Sequence, residues 1–296
     1  MPLALVGNVR LHYEDVGTGT PLVFVHEFAG DLESWRPQVS FFSRRYRTIA
    51  YNARGYPPSD VPEDPAAYSQ AQAVDDIRGL LDHLKIDRAH VCGLSMGGYA
   101  ALHFGLTYPE RALSIVVAGC GYGSAPAERE GFRNDSAMVV KRFEEGMAAV
   151  AEFYSRGPTR VQFIDKDPKG WQKFYDRLAA GSARGHSLTL QGVQMKRPSV
   201  FELGDRMERL QVPTLIMTGD EDEPCLEPGL FMKRKIPTAG LVVLAKSGHT
   251  INLEEPDLFN RAVLDFITAV DAGRWLPRNP ESLAKSAILP SAVKSH

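Results

Sequence analysis

The amino-acid sequence predicts an α/β fold with a mostly parallel central sheet, helices on both faces and one helical insertion. Three observations carry this. Short continuous apolar runs alternate with segments of helical periodicity; a Gly-x-Ser-x-Gly motif at 93–97 sits between one such run and one such helix; and the alternation stops over residues 119–211, then resumes. Continuous apolar runs are the mark of strands buried on both faces, as in a parallel sheet with helical crossovers.

Residues 3–6 and 9–14 flank Gly7-Asn8, with alternation at Val9, Leu11 and Tyr13, which predicts an antiparallel hairpin. Gly17-Thr18-Gly19 turns the chain into Leu22-Val23-Phe24-Val25, the first inner strand, which ends at His26. A loop through Gly30 leads to a short helix over 34–42 and a strand over 48–51, followed by a loop over 52–59. Ser69 with Gln72 three residues on has the form of a capping box, and Val74, Ile77, Leu80, Leu81 and Leu84 give the helix after it one buried face. Residues 89–92 form a strand, 97–108 a helix ended by Pro109, and 112–118 a strand centred on Ile115-Val116-Val117.

Residues 119–211 hold Phe132, Met138, Phe143, Met147, Phe153, Tyr154, Phe163, Trp171, Phe174 and Tyr175 in mostly helical spacing. They predict a helical cap over the sheet, most of these side chains forming its own core and a few facing a ligand cavity. The strand pattern returns at 213–218 and stops at Gly219-Asp220-Glu221-Asp222; a helix over 226–236, a last strand over 241–244 and an amphipathic closing helix over 254–270 follow. The domain organisation is thus a core of 1–118 and 212–270, a cap of 119–211 and a tail of 271–296. The tail, with Pro277, Pro280, Pro290 and several serines, has no core of its own and is expected to drape over the body or be partly disordered.

Composition narrows the partners. The 296 residues are 44% hydrophobic and 24% charged, enough for one large core carrying an insertion. A net charge of −2, with Arg44-Arg45-Tyr46-Arg47 as the densest basic stretch, gives no electrostatic case for nucleic acid. Cys92, Cys120 and Cys225 are far apart and form no C-x-x-C, so they read as reduced thiols of a cytoplasmic protein. No apolar run is long enough to span a bilayer, and the first residues lack the basic flank and cleavage site of a leader, so neither secretion nor membrane insertion is expected.

Strand, sharp turn and helix around Ser95 are the context in which Gly-x-Ser-x-Gly means a nucleophile elbow. Small residues at Gly93 and Gly97 let the turn close, and the helix that begins at once presents its N-terminal amides and positive dipole end to developing negative charge. A serine hydroxyl needs a base, and the base needs an orienting anion. His249, in Ser247-Gly248-His249-Thr250 after a strand, is the candidate base. Asp222, three residues after Gly219 and also just past a strand end, is the candidate acid, with Asp220 as its alternative.

The span from about residue 3 to 270 resembles the α/β-hydrolase fold superfamily, on His26-x-x-x-Gly30, Arg54-Gly55-x-x-x-Ser59, Gly93-Leu94-Ser95-Met96-Gly97-Gly98, Gly219-x-x-Asp222 and Gly248-His249. The wording of 89–98 is similar to enol-lactone hydrolases and related small esterases. The resemblance implies Ser95, Asp222 and His249 as a catalytic triad, the backbone amides of Phe28 and Met96 as the oxyanion hole, and no cofactor. Two positions depart from the pattern: Asn52 stands where the family has Asp, and Glu27 where it has Gly. His26-Glu27-x-x-Gly30 opens like H-E-x-x-H, but its fifth residue is Gly30, so no metal site is expected. A carboxylate aimed at the oxyanion would oppose its charge, so Glu27 must point away, pair with a cation such as Arg54, or be protonated. It is then either structural or, with His26, part of substrate binding, where it recognises a polar or cationic group or orients water. The activity implied is hydrolysis of a small carboxylic ester or lactone through an acyl-enzyme. Two alternatives stand beside it: carbon–carbon cleavage of a diketone-like compound, and ligand sensing or partner binding with slow turnover.

Overall fold

The computed structural model describes residues 2–283. Eight strands form one sheet in the order β1-β2-β4-β3-β5-β6-β7-β8: β1 Leu3–Val6, β2 Val9–Val16, β3 Pro21–Val25, β4 Arg47–Tyr51, β5 Ala89–Leu94, β6 Ala112–Ala118, β7 Thr214–Gly219 and β8 Ala239–Leu244. β1 and β2 pair antiparallel and β2 joins β4 antiparallel; every pairing from β4 to β8 is parallel. The hairpin, the apolar inner strands and the mostly parallel sheet agree with the sequence reading.

Helices cover both faces. α1 Arg36–Phe42 and, near the C-terminus, Pro256–Asp271 pack on one face, where Phe24, Trp35, Phe42, Phe259 and Phe266 form a core. On the other lie α2 Gln70–His83 and α3 Met96–Thr107, with Ile77, Leu80, Tyr99 and Leu102 against Val23, Val91 and Val117. Ser69 caps α2, its side chain accepting from the Gln72 amide at 3.0 Å.

Between β6 and β7 the chain makes α4 Arg129–Arg142, α5 Met147–Tyr154, α6 Val161–Lys166, α7 Pro168–Ala179, α8 Ala183–Thr189 and α9 Gly204–Glu208, with a π-turn at Leu190–Gln194. Phe143, Phe163, Trp171 and Phe174 of this segment share a third apolar cluster with Phe28 and Tyr56 of the sheet's loops and Met96 at the start of α3, so the insertion sits on the edge where the parallel strands end. α10 Glu223–Lys235 follows β7, and the closing helix predicted over 254–270 is α12 Pro256–Asp271, preceded by a separate short helix, α11 Ile251–Glu254, that periodicity does not mark. Pro256 has no N–H to continue a helix and opens a new one instead. Beyond α12 the chain lies against the body: the Trp275 indole donates to the Thr238 carbonyl at 2.7 Å and meets Phe266 edge-on, and the Arg278 amide donates to Pro237. The rest of the expected tail, residues 284–296 with Pro290, is outside the described residues.

Parallel register brings the strand ends into one line. Val25 pairs with Gly93, Gly93 with Val117, and Ala118 with Met217, so the segments that begin at His26, Ser95, Gly119 and Asp220 all leave the sheet at the same edge.

Candidate active site

Ser95 sits between the last residue of β5 and the first of α3, with φ 57° and ψ −112°. Side-chain-bearing residues enter this region at a cost, and the surroundings hold it there. Its amide donates to the Ala118 carbonyl at 2.8 Å and its carbonyl accepts from Tyr99 at 2.9 Å. A methyl on Gly93 would run into the Gly97 carbonyl, and one on Gly97 into the Val25 carbonyl. Gly98, which sequence reasoning left without a role, is also required, since a β-carbon there would stand 2.7 Å from the Ala118 oxygen. The first-turn amides of α3, Met96 among them, have no carbonyl of their own helix to bond.

Asp222 immediately precedes α10, and His249 lies in the loop between β8 and α11. The His249 Nδ1 and Asp222 Oδ2 are 2.7 Å apart, both side chains buried. With the carboxylate accepting, Nδ1 carries the proton and Nε2 remains an acceptor. Burial alone would raise the Asp222 carboxyl; the charge and hydrogen bond of His249, then the Cys225 thiol and the charge of Arg160, outweigh it and hold it below the ordinary aspartate value. The alternative acid, Asp220, accepts from the Ser247 amide at 3.1 Å and so braces the histidine loop. The insertion reaches this loop too, for the His249 amide donates to the Thr159 carbonyl at 3.1 Å.

The loop after β3 corrects the sequence reading at two residues. His26 accepts from the Ala53 amide at Nε2, 3.0 Å, which leaves its Nδ1 to donate to the Glu27 carbonyl at 2.6 Å. Both nitrogens are used, the ring is 1% exposed, and burial pushes its pKa down. His26 is a neutral clamp between two loops, and it does not face the cavity. Glu27 is also 1% exposed and pairs with a cation, but not with Arg54. Its partner is Arg160 of the insertion, whose Nη1 donates to Oε1 at 3.1 Å and Nη2 to Oε2. Arg54 is taken by Asp76, Nε to Oδ2 at 2.7 Å and Nη2 to Oδ1 at 2.6 Å. Arg160 lies over the rings of Tyr154 and Phe174, 5.7 and 5.1 Å from their centres. Phe28 is pinned as well: its carbonyl accepts from the Tyr56 hydroxyl at 2.9 Å and its ring meets Tyr154 and His186. Asn52 ties the neighbouring loop, accepting from the Leu32 amide and donating to the Pro57 carbonyl.

Ser95, Asp222 and His249 line one cavity of about 820 Å³. Most of its other walls come from the insertion, including Phe132, Met138, Phe153, Tyr154 and Leu190, so four of the aromatic and methionine side chains singled out in the sequence face it. The arrangement can pass a proton from a hydroxyl to an imidazole steadied by a carboxylate. The ligating atoms of Asp222, Cys225 and His249 lie within 4.8 Å of one another, but this set does not suit a metal. Asp222 and His249 are bonded to each other, and burial holds the Cys225 thiol well above its ordinary pKa, whereas a metal takes the thiolate.

A family model described as the alpha/beta hydrolase fold matches residues 20–256. The chain is 29% identical over 259 residues to 3-oxoadipate enol-lactonase 2 of Acinetobacter baylyi, covering 86% of this chain and 92% of that protein. It is 28% identical to the 2-hydroxy-6-oxo-6-phenylhexa-2,4-dienoate hydrolase of Burkholderia cepacia, covering 88% of this chain and 92% of that one. Among solved structures it is similar to the enol-lactonase from Burkholderia xenovorans LB400, with a TM-score of 0.77, 27% identity, and coverage of 90% and 100%.

Proposed function

The chain belongs to the alpha/beta hydrolase fold family and is a hydrolase, and on that premise we propose that it cleaves a small carboxylic ester or lactone through an acyl-enzyme. The observation that carries the reading is the cavity itself, where a backbone-strained serine at a strand–helix junction shares one wall system with a histidine bonded to a buried aspartate. In this proposal His249 Nε2 takes the Ser95 Oγ proton as Oγ attacks the carbonyl carbon, and Asp222 stabilises the imidazolium. The amides of Phe28 and Met96 receive the oxyanion; donors fixed before reaction favour it over the ground-state carbonyl by roughly 3–4 kcal/mol each. His249 then returns the proton to the leaving alkoxide. Water, deprotonated by the same imidazole, releases the acid.

The residue partition follows: a core of 1–118 and 212–270 supplies the triad, and a cap of 119–211 shapes the pocket. Similarity to the enol-lactonases favours a lactone or ester, and similarity to the dienoate hydrolase keeps carbon–carbon cleavage as the second reading. The deciding experiment follows chromophore release from 4-nitrophenyl butyrate by the wild type and by Ser95→Ala. Multiple turnovers that fall at least a thousandfold in the variant support acyl transfer at Ser95. No release by the wild type, with turnover of a vinylogous diketone, moves the protein to the second reading.

A further inference from the structure

Two arginines line the cavity, and they are not equivalent. Arg156 is half exposed and paired with Glu152 at 2.6 Å. Arg197 is 4% exposed, and among the described residues no carboxylate comes within 4.0 Å of it. Its Nη2 donates to the Tyr122 carbonyl at 3.3 Å, while Nε and Nη1 are buried and meet no acceptor. The acidic side chains of the lining, Asp135, Glu152, Glu221 and Glu223, are all exposed, apart from Asp222, which His249 occupies.

This guanidinium is held in place. Its central carbon lies 3.5 Å from the centre of the Tyr99 ring, its own amide donates to the Val193 carbonyl, and its carbonyl accepts from Arg129 Nη2 at 2.6 Å. Tyr99 is four residues after Ser95 on α3 and its amide bonds the Ser95 carbonyl, so the ring that carries the guanidinium belongs to the helical turn that Ser95 opens, and Arg197 and Ser95 line the same cavity. A buried cation without a counter-ion is costly, and no step of the proton relay uses it. Arginine presents a planar fork of donors that matches a carboxylate.

We propose that Arg197 is an anion-recognising residue of the cavity, and that the substrate carries a carboxylate which it binds while the scissile carbonyl lies at Ser95. This rests on the hydrolase reading above and adds to it the chemical class of the substrate. It also gives the cavity an uneven charge, with exposed acids in its lining and a buried cation, that orients an anionic substrate with its carboxylate toward Arg197.

The test compares 4-nitrophenyl butyrate with the mono-4-nitrophenyl esters of succinate, glutarate and adipate, which differ in carrying a terminal carboxylate. In the wild type at least one anionic ester should exceed the neutral one tenfold or more in kcat/KM. In Arg197→Met that ratio should fall at least tenfold, mainly through KM, and Arg197→Lys should restore part of it. An unchanged ratio in Arg197→Met overturns the inference while leaving the hydrolase reading intact. Should Arg197→Met not fold, or should no ester turn over, Ser95→Ala is titrated with glutarate and with glutaramide in a thermal-shift assay. Stabilisation by glutarate alone supports the anion subsite, and no shift with glutarate overturns it. The Ser95 hydroxyl is absent from that protein, so the result does not depend on acyl transfer.

Discussion

At Glu27 a charge stands beside the loop whose Phe28 amide is the proposed oxyanion donor, and its partner is 133 residues away in the insertion. Alone, the carboxylate would oppose the negative charge of a tetrahedral intermediate; with Arg160 the pair is neutral overall and ties the loop to the cap segment that also receives the His249 amide through Thr159. Breaking a buried pair on one side leaves the other charge stranded, which costs roughly 3–5 kcal/mol, whereas removing both charges costs much less. Arg160→Met should therefore lower stability by about that amount and reduce ester turnover. The double variant Glu27→Gln/Arg160→Met should recover more than half of both losses. Urea unfolding and steady-state turnover of the four members of the cycle measure this coupling. Additive losses would mean that the two side chains act independently, and the coupling of loop to insertion through this pair would have to be abandoned. The departure at Glu27 was visible in the sequence, with pairing to a cation as one of three ways to accommodate it. The identity of that cation was not, because nothing local in Gly157-Pro158-Thr159-Arg160 marks an arginine that will be buried against a distant loop. His26 misled for the same reason, since a histidine at a strand end looks alike whether it faces a ligand or two backbone groups.

At the scale of elements, the strands and the elbow were legible because each is written locally. Inner strands buried on both faces are continuous apolar runs, and the elbow needs small residues at fixed offsets. The insertion was legible only as helical. Its helix ends and the π-turn at Leu190–Gln194 depend on what lies beneath: a β-carbon on Gly192 would strike the Tyr68 carbonyl, and one on Gly185 of α8 the Gly55 carbonyl. These close approaches have no sequence period. Gly185 supports a direct prediction. Alanine there must push α8 away from the loop that carries Arg54 and Gly55, and overpacking of this kind costs about 1–3 kcal/mol. Because α8 runs on into Leu190 of the cavity wall, the displacement should widen the pocket while leaving Asp222 on His249. In steady-state kinetics of Gly185→Ala, KM should rise more than kcat falls. A pure loss of kcat would instead mean that α8 positions the reacting groups themselves.

For the molecule as a whole, several histidines are buried as neutral rings, and this sets how the fold meets acid. Burial lowers His186 from 6.5 to about 4; burial, then the charges of Arg206 and Arg197, lowers His103 from 6.5 to about 4; burial also lowers His26. In each case the folded value lies below the unfolded one, so the unfolded chain takes up protons first. The stabilisation is complete above pH 6.5 and is lost as pH falls toward 4. Between pH 6.5 and 5 a pKa held at about 4 forfeits about 2 kcal/mol. Asp222 and Asp271 act in the opposite sense of charge and at lower pH, since their folded values lie below 3.8 and their stabilisation is lost only as pH falls through them. Acid destabilisation should therefore begin with the histidines, well above the carboxylate range. His186 meets Phe28, Tyr56 and Phe143 at the junction of sheet and insertion, so the same protonation loosens the cap where it covers the candidate site. His103, on α3, makes none of these ring contacts among the described residues and permits a clean test. Urea unfolding at pH 7 and pH 5 should show the wild type losing several kcal/mol, and His103→Leu should lose less by about 2 kcal/mol, because its ring no longer has to stay unprotonated. If the two proteins lost the same amount, the His103 ring would be protonated in the folded state at pH 5, and its burial against Arg206 and Arg197 would not be what sets the acid limit.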